Sequence, residues 1–294
     1  MKFLSGGISL VKAFLNLILV TLIWGSTFPI HKVVLTDAYT FPYLFVRFFI
    51  ASILSFIIWR KQSFKYGAIL GIVLGIAHAL QTYGINFTDA SKSGFITSLY
   101  IPLTPIISYL IEKEKPNIIQ WLCFPLALVG SYMLFGGILG FNYGDFLTLL
   151  GAILFALHIV LITKFSKIVK ETSLLAYQFL IASIINFSMS FNSNWYLPPS
   201  IWLTAFYTSI FATIIVNFIQ VKYQKVIGSN STVLIFIGEP IFASLFSFMF
   251  LGERFSFIQI IGASIMILVI VMTSFSNKID KFLRQKLKQK SISI

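Results

Sequence analysis

A glutamate followed by a proline, deep in an apolar run, is the pair of residues that most needs a chemical reason. Glu239 and Pro240 lie within SNSTVLIFIGEPIFASLFSFMF, residues 229–250. An ionisable group surrounded by hydrocarbon costs a few kcal/mol on insertion scales, so something must hold it there. Glu239 could take up and release protons, or meet a substrate amine. It could instead stay protonated and hydrogen-bond across helices, holding the bend that Pro240 makes by removing a backbone donor. Arg47, in TFPYLFVRFFIAS, is a deep cation. It can snorkel to the headgroups, or form an ion pair or carboxylate contact inside the protein.

Several neutral polar residues share this setting. His78 and Gln81 are three apart and share a helix face, as do Trp24 and Thr27. His158, Tyr100, Asn217 and Gln220 lie in other apolar runs. One such residue is usually interhelical glue, worth about 1 kcal/mol. Distributed over many helices, they are better explained by one aromatic-walled cavity for a small organic ligand. The expected substrate-binding set is Trp24, Thr27, His78, Gln81, Tyr100, His158, Asn217 and Gln220, with Glu239 as the proton-coupling candidate.

Other chemistries are not supported. The single cysteine, Cys123, excludes an intrachain disulfide and any CxxC motif. The three histidines are far apart in sequence and have no metal-ligand spacing. Phosphate-binding, dinucleotide-binding and nucleophile-elbow motifs are all missing. No catalytic residue, metal or cofactor is therefore expected. Glu112 and Glu114, set among lysines, read as a solvated loop, and Glu253 with Arg254 as the anchor of a turn.

The elements that carry these residues follow from composition. Of 294 residues 57% are apolar and 11% charged, whereas soluble domains have roughly 45–50% and 25%. Ten helices of about 20 residues would use roughly 200 positions. We expect helices near 11–31, 42–59, 66–86, 93–111, 118–135, 145–163, 173–191, 201–221, 231–250 and 257–275, the first an uncleaved anchor. Of the 22 basic residues, all but Lys32, Arg47, Lys92 and Arg254 then fall on the side of the N-terminus. By the positive-inside rule that side is cytoplasmic, in a plasma membrane, with a basic cytoplasmic tail at 277–294. The net charge of +13 thus reports orientation and lipid contact, with no nucleic-acid partner.

The chain also resembles itself. VRFFIAS at 46–52 recurs as YQFLIAS at 177–183, and the same shift places Phe155 on Trp24 and His158 on Thr27. Ser93 with Pro102 corresponds to Ser231 with Pro240, and an acidic residue follows each proline (Glu114, Glu253). Halves at 1–140 and 141–276 would hold five helices each. An odd number makes the two halves point in opposite directions, an arrangement found in secondary transporters. Gly67, Gly71 and Gly75 repeat at four-residue spacing and should admit a close helix neighbour.

WGSTFPI at 24–30, the RFFIAS segment, ASKSGFITSLYIPLTPIISYLIEKEK at 90–115 and GEPIFASLFSFMFLGERFSFIQIIGAS at 238–264 resemble EamA-type members of the drug/metabolite transporter superfamily. IEKEK departs from the usual Leu-Gly-Glu-Arg. The resemblance implies a ten-helix, two-repeat carrier that exports or exchanges small organic metabolites. The expected partners are a small-molecule substrate, amino acids or related compounds, with protons as a second ligand and the bilayer as solvent, the protein acting as a monomer. The competing class is a receptor or structural membrane protein. An intramembrane enzyme lacks a nucleophile–base constellation.

Overall fold

The computed structural model describes residues 9–34, 39–88, 90–136, 140–252 and 254–292, with side chains through residue 276 except at positions 32, 90 and 91. Glu253 and the tail's side chains lie outside the described set. Among the described residues there is helix and no strand, as hydrocarbon demands of a chain whose backbone polar groups must pair internally.

The helices in chain order are α1 (Leu10–Val34), α2 (Thr40–Ile58), α3 (Phe64–Gly84), α4 (Ala90–Ser98), α5 (Tyr100–Glu112), α6 (Ile118–Leu134) and α7 (Tyr143–Ser166). They continue as α8 (Leu175–Ser188), α9 (Pro199–Ser209), α10 (Val216–Ile227), α11 (Ser229–Phe236), α12 (Gly238–Leu251) and α13 (Phe257–Ile292). Eight helical stretches are long and apolar enough to cross a membrane, counting α4 with α5, α9 with α10 and α11 with α12. Two expected spans fall short of the roughly 20 residues a crossing needs. α6 has 17 residues. α8 has 14, because it begins only after a 3₁₀ turn at 171–174 and ends at Ser188, short of the expected 191.

Sequence accounts for the ends and the breaks. Asn117 caps α6 and Asn142 caps α7: each side chain accepts the amide of the third helical residue, whose own side chain accepts the Asn amide in return. The breaks at Leu99 and Ile237 stand three residues before Pro102 and Pro240. A proline cannot donate to the carbonyl four residues earlier, which weakens the helix at that turn. A third irregularity separates α9 from α10, where residues 210–215 form a π-helical turn.

Packing runs across the chain as well as along it: α1 lies against α12, α3 against α7 and α8, α2 against α8, and α6 against α13. The glycine ridge of α3 makes one of the tightest of these seams. A Cβ on Gly71 would stand 2.5 Å from the Gln178 carbonyl oxygen and 2.8 Å from Ile181 Cβ. The two helices meet backbone to backbone because these positions have no side chain.

Gly71→Ala should therefore separate α3 from α8 at a cost of about 1–3 kcal/mol, as overpacked sites do. Thermal unfolding of the purified protein in detergent should show a lower Tm than the parent's. An unchanged Tm would contradict the close contact.

Candidate functional site

A cavity of about 340 Å³ lies in the middle of the bundle. All ten residues singled out from the sequence line it: Trp24, Thr27, Arg47, His78, Gln81, Tyr100, His158, Asn217, Gln220 and Glu239. They come from α1, α2, α3, α5, α7, α10 and α12, so neither half of the chain could build the cavity alone. Phe28, Phe48, Phe155 and Phe236 supply much of its apolar wall. The cavity opens where α1 and α3 end and α2 and α4 begin: its rim includes Ile85 and Asn86, both exposed.

The wall is held by bonds from side chains to neighbouring helices. Trp24 donates from Nε1 to the Ala212 carbonyl at 3.1 Å, and its ring meets Phe236 edge to face. Arg47 donates to the same carbonyl at 3.2 Å and from Nε to Thr213 Oγ1 at 2.8 Å, with its guanidinium over the Phe48 ring. A π-helical turn leaves carbonyls off the ordinary ladder, and Ala212 lies in that turn. Arg47 is 5% exposed and pairs with no carboxylate among the described residues, so it neither snorkels nor forms an ion pair. Enough acceptors converge from the π-helical turn to hold it inside.

Glu239 reaches the cavity half-buried and has no hydrogen-bond or ion-pair partner among the described residues. His78 is packed between Phe48 and Phe155. His158 Nε2 is buried without a hydrogen-bond partner; the Gln178 side chain lies beside it, outside hydrogen-bonding geometry. Gln81 donates to Thr97 at 3.0 Å. Thr27 turns its hydroxyl to the Trp24 carbonyl. Asn217 accepts from Gln178 at 3.2 Å, and Gln220 donates to Gln224 Oε1 at 2.9 Å. Although three histidines line the cavity, no group of three or more His, Cys, Asp or Glu among the described residues is placed to hold a metal.

The end opposite the mouth is closed by polar contacts that the sequence reading missed. Gln224 donates to the Ile159 carbonyl and, at 2.7 Å, to Thr163 Oγ1. Ser229 lies 2.8 Å from Thr163 and donates to Glu112 at 2.7 Å. Lys167 then meets Glu112 at 3.0 Å. Glu114 accepts from the Asn230 side chain and the Ser229 amide, and lies over Gly228, where a Cβ would stand 2.7 Å from its Oε1. Glu112 and Glu114 are thus not a solvated loop: the Glu112 side chain is only 4% exposed. Burial, and then the neighbouring Glu112, push the Glu114 carboxyl above its ordinary value, against the opposing pull of Lys167 and two hydrogen bonds. At the same end burial alone would raise Glu171, but its bond to Lys225 at 2.9 Å and nearby cations hold it below the usual carboxylate range.

Near the mouth, His31 stands 2.8 Å from the Tyr43 hydroxyl, which donates to Thr208, and Lys92 is paired with Asp145. Neither was evident from sequence. Half-buried His31 and buried Tyr43 are polar residues of the kind that flagged His78, but they lie at the ends of their apolar runs. Lys92 and Asp145 are far apart in the chain, and periodicity cannot pair them.

Known proteins resemble this one along almost its whole length. The model of the EamA-like transporter family matches twice, at residues 11–136 and 142–275. An uncharacterized transporter of Archaeoglobus fulgidus is 34% identical over 91% of this chain and 87% of its own. Uncharacterized transporter YoaV of Bacillus subtilis is 24% identical over 91% and 98%. A protein crystal structure superposes with a TM-score of 0.75 over 92% of this chain and 99% of that one, at 15% identity, which establishes a common fold. The chain is a multi-pass membrane protein that belongs to the EamA-like transporter family.

Proposed function

We propose that this chain is a secondary active transporter of small organic metabolites, an exporter or exchanger of amino acids or related compounds. It would work by alternating access, as a monomer with ten crossing segments in two inverted halves, 1–140 and 141–276. One observation carries the substrate class. A single aromatic-walled cavity is lined by one acid, Glu239, and one permanent cation, Arg47, that do not pair with each other. Separate opposite charges in a small apolar chamber suit a ligand that is itself zwitterionic, each group meeting its counterpart where water is scarce. Trp24, His78, Tyr100 and His158 would grip its body, and Thr27, Gln81, Asn217 and Gln220 would supply hydrogen bonds.

The two-half reading is supported by the two family matches and by the corresponding breaks before Pro102 and Pro240. The short α6 would still cross the bilayer, because snorkelling flanks and local thinning accommodate a mismatch of a few ångströms, and α8 would cross together with the 3₁₀ turn at 171–174 that precedes it. The membrane is proposed to be the plasma membrane, with both termini cytoplasmic, and the basic residues gathered at the closed end support that orientation.

The experiment begins with thermal stabilisation of the purified protein by amino acids, purines, sugars and cationic drugs. Zwitterionic amino acids should stabilise most. Arg47→Gln should weaken their binding tenfold or more, in line with the roughly 1.5–3 kcal/mol of a charge-assisted bond. Stabilisation by cationic drugs alone, undiminished in Arg47→Gln, would overturn the substrate class.

Glu239 is proposed to couple transport to protons. Glu239→Gln keeps the shape and removes the titration, so proton-driven accumulation in proteoliposomes should disappear while exchange at equal pH survives. Full accumulation by a well-folded Glu239→Gln protein would eliminate that role.

Orientation is open to labelling. In a Cys123→Ala background, an impermeant maleimide on intact cells should reach a cysteine at Asn194 and not one at Lys170. The reverse pattern would invert the topology.

A further inference from the structure

The cavity has an open end and a closed end, and the closed end is held by named bonds. A continuous polar chain leads from its floor: Gln220 to Gln224 at 2.9 Å, Gln224 to Thr163 at 2.7 Å, Thr163 to Ser229 at 2.8 Å, and Ser229 to Glu112 at 2.7 Å. Five side chains from four helices take part: Gln220 and Gln224 from α10, Thr163 from α7, Ser229 from α11 and Glu112 from α5. Glu112 belongs to the first family-matched segment and the others to the second. Separating α5 from α11 therefore breaks the chain.

We infer that Glu112, Thr163, Ser229 and Gln224 form an interlock that keeps the basic end of the cavity shut and that is sensed from the cavity through Gln220. This rests on the carrier reading above. Three features make these bonds a fastening rather than ordinary glue.

The first is position. Ile159, the last cavity-lining residue of α7, lends its carbonyl to Gln224, so the chain begins at the floor of the chamber. Thr163, one helical turn further on, carries it outward.

The second is that the chain ends on a charge. Lys167 pairs with Glu112 while its own side chain is 53% exposed. Water is therefore at hand to replace each partner as the helices part, so opening does not leave a buried charge unpaired.

The third is flexibility at the moving parts. α11 begins immediately after Gly228, at φ +83°, and α5 and α11 are each uncoupled from the adjoining helix by the breaks at Leu99 and Ile237. Each segment can therefore swing without dragging the mouth half of its span. A ligand that takes the Gln220 amide removes one of the bonds holding Gln224, and so loosens the first link.

The test uses the full-length protein with Cys123→Ala and Ile159→Cys, in membrane vesicles of each sidedness. The face that bears Lys170 is identified by a separate Lys170→Cys control. An impermeant maleimide should modify Ile159→Cys from the mouth and scarcely from the basic end. Thr163→Val, which is nearly isosteric, and Ser229→Ala should each raise labelling from the basic end by about an order of magnitude, as expected when a bond made only in the closed state is lost. Glu112→Gln, which removes the charge that Lys167 meets, should act in the same direction. Gel filtration and Tm identify any variant that fails to fold. Labelling from the basic end that stays at the parental rate in both well-folded Thr163→Val and Ser229→Ala overturns the interlock, as does a parent already labelled freely from that end. Transport by the parent is measured separately with amino acids. A parent that moves none of them counts against the carrier reading, whereas the labelling rates alone decide the interlock.

Discussion

A polar group placed in hydrocarbon must find its partner within the protein, and most of this structure follows from that constraint. It selects helices for the backbone. It also brings Arg47 inward to Thr213 and Ala212, and seats Asp145 both on its own helix N-terminus and against Lys92. Where the rule is not met, the exceptions are scattered, from Ser55 and Ser131 to Asn186 and Ser276, but two groups share one site. His158 Nε2 is buried without a partner, and Glu239 has none among the described residues; both face one chamber. Unmet polar groups are costly to maintain, and these two stand where a ligand could meet them.

The sequence disclosed a good deal of this. Apolar runs and proline positions located most helices to within a few residues, although α13 continues to Ile292 through the stretch expected as a separate tail; the glycine ridge of α3 indicated its close neighbour, and every residue proposed for the cavity lines it. These readings rest on local rules: a period, a missing backbone donor, a polar side chain at membrane depth. What stayed hidden depends on three-dimensional proximity. Glu112 and Glu114 follow a helix among lysines, which looks like solvent until Ser229 and Asn230 are folded onto them. Arg47 looked free to snorkel because its acceptors lie more than 160 residues away. The shortness of α8 was obscured at both ends, where Leu174 and Met189 continue its apolar composition past the last helical turn.

The distribution of irregular helix is also informative. Regular, tightly packed pairs include α3 with α8 and α6 with α13. The discontinuities at Leu99 and Ile237 and the π-helical turn at 210–215 all border the chamber. Rigid seams beside interrupted spans let one part of the bundle move against another without unpacking the whole, which is how packed helices usually rearrange.

The shared acceptor at Ala212 has a consequence for how this protein can vary. Trp24 and Arg47, from two helices, converge on a main-chain oxygen, which no side-chain replacement at position 212 can delete. The donors can be exchanged singly by point mutation, but the acceptor is tied to the register of the π-helical turn. Only a change that shifts that register, such as loss of one residue between 210 and 215, would remove it, and it would disturb both anchors at once. The chamber wall is therefore tolerant of substitution at this point and brittle toward deletion. Related chains could change what lines the cavity while keeping the same fixed point around which it is assembled.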